Sequence, residues 1–387
     1  MEYICMVIIL LLISIFLIGS CKGFYINKDN FSKLWAIVLV TSFIMAFIFE
    51  QNPAMNLDLL RIYARLSDIR NYGLDNALKY IDLEKLYFFK YWMYIVSLTP
   101  FDNLLNSIPF FVEVYIFGVI IKDLLSKYGP HKMAYITLAL FVWISLMGIK
   151  LAITDIRCVF AMTICCYALY LEFVKKQKVF FAISLYLIAI FTHHYTMIFM
   201  ITRCFIFFAM RIKTKKLLFI FVAFLLLGPL LVDFITSNMG IYETYFSVIT
   251  QKLAGSYNRS YFIYREMSQR VLYIFMIIVV MSSAFYSYLN ILSCKSENDN
   301  NSMFYRISIS LFIISLFLLG FFNNYLIIER GIYIIAILFP IMYLLMPREL
   351  HAKNNPCFLI PLLIYILFIN DINPLIVNKL GYSYLQF

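Results

Sequence analysis

Side chains able to move a proton or hold an anion are few in this chain, and they fall into short clusters. His193 and His194 are adjacent in FTHHYTMIF. A His pair can take a proton or donate to a phosphate; the alternative is a pair hydrogen-bonded to Tyr195 or Thr196. Adjacent His point apart on a helix, so they do not make a metal site. Lys150, Asp155 and Arg157 form a charged knot in KLAITDIRCVF, and Glu329 and Arg330 form another in IIERGIY. In NLDLLRIYARLSDIR, residues 56–70, Asp58, Arg61, Arg65 and Asp68 recur at three- and four-residue spacing. A helix would carry all four on one face, with Leu59, Ile62, Tyr63, Leu66 and Ile69 mainly on another. Neighbouring opposite charges at this spacing can also simply neutralise each other. A last group, Asn258, Arg259, Arg265 and Glu266, lies in a Tyr-rich stretch that suits sugar rings or a membrane surface equally well.

The elements that must position these residues are membrane helices. The chain has 387 residues, 63% apolar and 14% charged, where a soluble domain carries about 25% charged residues. Long apolar runs recur from end to end, which predicts an all-α polytopic membrane protein forming one integral domain over 1–387. Twelve spans can be drawn, at about 3–20, 34–50, 104–125, 134–149, 158–174, 179–192, 195–210, 217–234, 271–291, 307–322, 331–346 and 357–371. The start reads as a retained first span, because it lacks a basic leader and a small-residue cleavage site. The eight Cys include no C-x-x-C pair and read as small core residues.

Orientation follows from Lys and Arg placement. The short connections at 21–33, 126–133, 175–178, 211–216, 292–306 and 347–354 are rich in Lys and alternate as one side, which is assigned to the cytoplasm. Both termini then lie outside, with two long extracytoplasmic loops at 51–103 and 235–270. Most of the net charge of +11 belongs to the Lys-rich connections; no nucleic-acid module is present. Of the 12 Arg, eight fall on the outer side, with only six of the 20 Lys. The topology rule does not explain this partition. Arg binds phosphate and carboxylate through a planar fork, whereas Lys is a point charge. The outer face therefore suits an anionic ligand, or else its Arg pair with the nearby Asp and Glu.

The first long loop divides at a polar turn, Asn71–Gly73. The apolar piece from Leu86 to Leu98 is too short to span and reads as a re-entrant or interfacial helix ending at Pro100. There is no P-loop, G-x-G-x-x-G, H-E-x-x-H or G-x-S-x-G, and no acidic pair for a metal-bound nucleotide sugar. Chemistry, if any, takes place outside or at the bilayer, on a substrate already activated.

The ordered pattern resembles the O-antigen and exopolysaccharide polymerases (Wzy-type), and their EpsG-like branch in particular. The pieces that carry the resemblance are DLLRIY (Asp58–Tyr63), IRCVFA (Ile156–Ala161), FTHHYT (Phe191–Thr196) and ERGIY (Glu329–Tyr333). A second His at 194 departs from the family, where one His is usual, and leaves the acting one open. The resemblance implies a bacterial inner-membrane glycosyltransferase. It would join repeat units carried on undecaprenyl pyrophosphate on the periplasmic side, without cofactor or metal, together with membrane lipid and a chain-length regulator protein. It implies that Arg157 and Arg330 hold the departing pyrophosphate, with Arg65 and Arg265 as second choices. Arg61, Tyr63 and Glu329 complete the substrate site, and His193, His194 or Asp58 accepts the proton. A lipid-linked sugar flippase and a membrane acyltransferase acting on surface sugars remain the alternatives.

Overall fold

The computed structural model describes residues 18–20, 22–49, 57–80, 87–147, 152–153, 155–176, 179–193, 196–211, 267–293, 303–320 and 325–346. Within them lie α1 (Lys28–Phe47), α2 (Leu57–Tyr80), α3 (Tyr87–Ser97), α4 (Leu104–Tyr128), α5 (Met133–Met147), α6 (Ile156–Leu169), α7 (Val179–Thr192), α8 (Thr196–Ala209), α9 (Met267–Ser293), α10 (Met303–Gly320) and α11 (Tyr325–Leu345). The strand pairing among the described residues is a two-residue antiparallel ladder, β1 (Tyr25–Ile26) on β2 (His131–Lys132).

Six of the described helical segments are long and apolar enough to cross a membrane: Lys28–Phe47, Leu104–Tyr128, Ile156–Val174, Tyr273–Ser293, Met303–Gly320 and Ile327–Leu345. Apolar α5 and α7 are shorter. The chain is a helical, multi-pass membrane protein. The spans drawn at 217–234 and 357–371 lie outside the described residues, as do most of 3–20 and residues 235–266 of the second long loop, whose last four residues already belong to α9.

The bundle is built around α10 and α11. Every residue of α10 is buried, as expected of a helix that is apolar all round and has neighbours on every side. It packs on α8, α9 and α11, while α11 also packs on α4, α5 and α6. At the edge, only 28% of the spanning window of α1 is covered, leaving Ile37, Val40 and Ile44 exposed as a lipid-facing stripe. Close approach depends on small residues. A Cβ on Gly118 of α4 would fall 1.7 Å from Trp35 Nε1 of α1, and one on Gly331 of α11 would fall 2.1 Å from Leu318 of α10. Gly331 is therefore a contact residue inside a helix and not part of a loop. α11 begins earlier than the sequence suggests, so Glu329 and Arg330 lie within it.

Described parts of the connections at 21–33, 126–133, 175–178 and 292–306 meet at one end of the bundle. There β1 meets β2, Lys127 Nζ reaches Met303 Sδ (3.0 Å), and His131 Nε2 bonds the Leu344 carbonyl (3.1 Å). At this end α6 widens into a π-helical turn, Tyr170–Val174, with Lys175 N–H bonding the Tyr170 carbonyl. Arg306 of α10 donates to the Val174 carbonyl from Nε (3.0 Å). Two carboxylates are satisfied nearby. Asp123 accepts from Tyr170 and Lys175, and Glu172 accepts from Arg203 through both oxygens and from Tyr186. α4, α6, α7, α8 and α10 are thereby tied together.

Candidate functional site

At the opposite end the α2–α3 segment forms a cap. Ile62, Leu66 and Ile69 of α2 and Phe89, Met93 and Val96 of α3 are buried with Leu105 and Ile156, a small core separate from that of the bundle. The apolar face expected from the spacing in 56–70 is the one that packs. Gly73 breaks the helix with φ 76° and ψ 168°, at the turn the sequence placed there. α3 is 11 residues long and ends three residues before Pro100. Its outer face leaves Tyr87, Tyr91 and Ile95 exposed, an arrangement suited to lying in a bilayer interface.

The cap is fastened by polar contacts. Arg70 donates to the carbonyls of Ser97 (3.2 Å) and Thr99 (3.0 Å) and pairs with Asp102. Tyr63 Oη donates to Asn103 (3.4 Å) and Asn106 (3.3 Å), which in turn donate to the last carbonyls of α1, Phe47 and Ala46. Burial first, and then the Asp102 carboxylate, push the Tyr63 phenol up to about 12; it stays a neutral donor. Tyr63 thus holds the cap on the bundle. Arg65 is half-buried on α2 and Asp68 is exposed. Asp58 and Arg61 belong to the first turns of α2, and their side chains lie outside the description.

Beneath the cap, the N-terminal ends of α6 and α11 meet. Asp155 precedes α6, and the Val159 N–H bonds its carbonyl at 3.1 Å. The run after it is unusually small: Cys158, Ala161, Cys165, Cys166 and Ala168 are all buried, and this lets α4, α7 and α11 approach α6 closely. The charges of Asp155, Arg330, Glu329 and Arg157 all act on the Cys158 thiol, and those of Asp155, Glu329 and Arg330 act on the Tyr333 phenol. Residues more than 170 positions apart in sequence thus act on the same buried groups where the ends of α6 and α11 meet, and all four are half-buried. The Arg157 guanidinium also lies over the Phe89 ring of α3, 5.8 Å from its centre.

α3 extends the same mouth toward α7. Phe88 stacks on Phe160 of α6 at 6.5 Å, and Tyr87 meets Phe191 of α7 edge-on at 6.1 Å. Two residues further on, His193 is buried at the end of α7, where Thr196 donates to its carbonyl through Oγ1 (2.7 Å) and N–H (3.1 Å). His194, Lys150 and Arg265 lie outside the described residues. The structure thus sets Arg157 at the start of α6, Glu329 and Arg330 in the first turns of α11 and His193 at the end of the neighbouring α7, with Tyr63 and Arg65 in the cap above.

Sequence reading missed Glu113. It lies on α4, is 1% exposed, and among the described residues neither carboxyl oxygen has a hydrogen-bond partner. The Asp155 charge acts on it. The available signal was a lone carboxylate in the apolar run SIPFFVEVYIF; an ionisable residue in a span is a candidate functional residue by default. Among the described residues no three His, Cys, Asp or Glu side chains converge as a metal site. No protein-family model matches the chain, and neither does any curated protein or solved structure.

Proposed function

We propose that this protein is a polysaccharide polymerase, a membrane glycosyltransferase that joins oligosaccharide repeat units carried on undecaprenyl pyrophosphate. The Lys-rich end of the bundle faces the cytoplasm, both termini lie outside, and the reaction takes place at the capped mouth on the extracytoplasmic side of a bacterial inner membrane. The observation that supports this reading is that Arg157 and Arg330, remote in sequence, lie where the ends of α6 and α11 meet, at the end of the bundle opposite Lys127 and Lys175. Such a pair presents two planar forks to an anion at the membrane surface.

The chemistry follows from the leaving group. The acceptor hydroxyl oxygen bonds to the donor's anomeric carbon as the bond from that carbon to the pyrophosphate breaks. Negative charge grows on the departing pyrophosphate, where Arg157 and Arg330 stabilise it. Asp155 and Glu329 hold the guanidinium groups in place before the ligand arrives. The hydroxyl proton passes to His193 or His194, or to Asp58. The cap, with Arg65, Arg61 and Tyr63 of α2 and with Arg265 from the second long loop, encloses the donor. A lipid pyrophosphate already carries the activation energy, so no nucleotide is required. Membrane lipid surrounds the site, and a chain-length regulator is the expected protein partner.

A deletion strain separates this reading from its rivals. Loss of a polymerase leaves surface glycolipid bearing a single repeat unit. Loss of a flippase leaves no surface glycan, and loss of an acyltransferase leaves full-length chains of altered chemistry.

A further inference from the structure

Glu113 and Tyr333 belong to the polar groups that the bundle buries unmet among the described residues, with Ser107, Trp143, Ser145, Thr163 and Asn290, and they are the two that ionise. Each is 1% exposed. Among the described residues, both Glu113 carboxyl oxygens and the Tyr333 hydroxyl lack a hydrogen-bond partner. They come from different helices, α4 and α11, which pack on each other and on α6. Tyr333 is eight residues into α11 from its capped end, and the charge of Asp155 acts on both groups. Glu113 is nine residues into α4, roughly 14 Å along its axis from the capped end at 1.5 Å per residue. The other carboxylates inside the bundle, Asp123 and Glu172, are each met by two donors. The contrast is telling, because a buried polar group left unmade costs about 1–3 kcal/mol. Two such groups lie at similar depth below the capped end, with hydrogen bonds that the described residues do not supply.

We propose that Glu113 and Tyr333 form a sugar subsite below the arginine pair, binding hydroxyls of the saccharide whose pyrophosphate Arg157 and Arg330 hold. This rests on the polymerase reading and adds to it the place of the sugar ring, between α4, α6 and α11. A carboxyl and a phenol supply both donors and acceptors for a hydroxyl-rich, uncharged ligand. They are binding residues and take no part in bond making.

The test uses two variants of the full-length protein, Glu113→Leu and Tyr333→Phe. Each removes an unmet polar group with little loss of volume. Thermal unfolding of the ligand-free protein in detergent should therefore rise by about 2–4 °C, whereas groups serving only the fold would give a fall. The probe is lipid-linked oligosaccharide extracted from the protein's own cells, before and after mild acid removes the glycan. The intact extract should protect the wild type against unfolding more than the stripped lipid does, and this difference should vanish in both variants. Polymer made in cells should fall about 10- to 100-fold. A lower unfolding temperature in both variants, or protection by intact extract that the variants retain, overturns the subsite. Loss of polymerase activity in neither the variants nor a deletion strain would overturn the polymerase reading instead, while the protection difference would still decide whether Glu113 and Tyr333 bind sugar.

Discussion

Arg70 shows what an arginine committed to the fold looks like, with two backbone carbonyls and a carboxylate as its partners. Arg157 and Arg330 are placed differently, at converging helix ends. Removing either one, as Arg157→Ala or Arg330→Ala at normal membrane level, should cut polymer length and yield by at least about 100-fold, the scale for one preorganised donor to developing charge. Lysine at either position should recover only part of this, since the fork is lost; a normal ladder on a glycolipid gel would remove the pyrophosphate assignment. The double change His193→Ala/His194→Ala should leave single-repeat glycolipid, and persistence of long chains would clear the pair of any part in proton transfer. The sequence exposes these candidates because charge is scarce. It could not separate Arg70 from Arg157, since the partners of Arg70 lie 27 to 32 positions away. Nor could it show that Glu113 goes unmet while Glu172 is met by Tyr186 and Arg203.

At the scale of elements, helix spacing is set by contacts that can be broken singly. Gly118→Ala would drive a methyl into the Trp35 indole, which itself donates to the Val114 carbonyl at 3.2 Å. Stability should fall by about 1–3 kcal/mol, measured by thermal unfolding, and an unchanged midpoint would mean that α1 can slide away freely. At the Lys-rich end, Arg203→Ala strips Glu172 of its bidentate partner. Its cost should be about 2 kcal/mol, less than the 3–5 kcal/mol of a fully buried pair, because the Arg203 side chain is 28% exposed. Adding Glu172→Ala should recover part of that loss, and purely additive losses would show that the pair is not coupled. Apolar periodicity made the packed face of α2, the break at Gly73 and the short α3 legible. The starts of α10 and α11 were not legible, because polar residues such as Arg306 and Glu329 are taken inside by partners that only the fold supplies.

For the whole molecule, the recurrence of apolar runs was enough to give a helical multi-pass protein. What a string of spans does not contain is adjacency. That α6 and α11 meet, and that α3 bridges α6 to α7, follows from small residues and aromatic contacts between distant segments. The functional account depends on that adjacency at the capped end. Its most direct test is elongation by the purified full-length protein in liposomes, supplied only with lipid-linked repeat units taken from the deletion strain. A ladder of longer glycans should appear, with undecaprenyl pyrophosphate released in step and no nucleotide sugar added. Repeat units that stay single in the presence of folded, reconstituted protein would contradict the account.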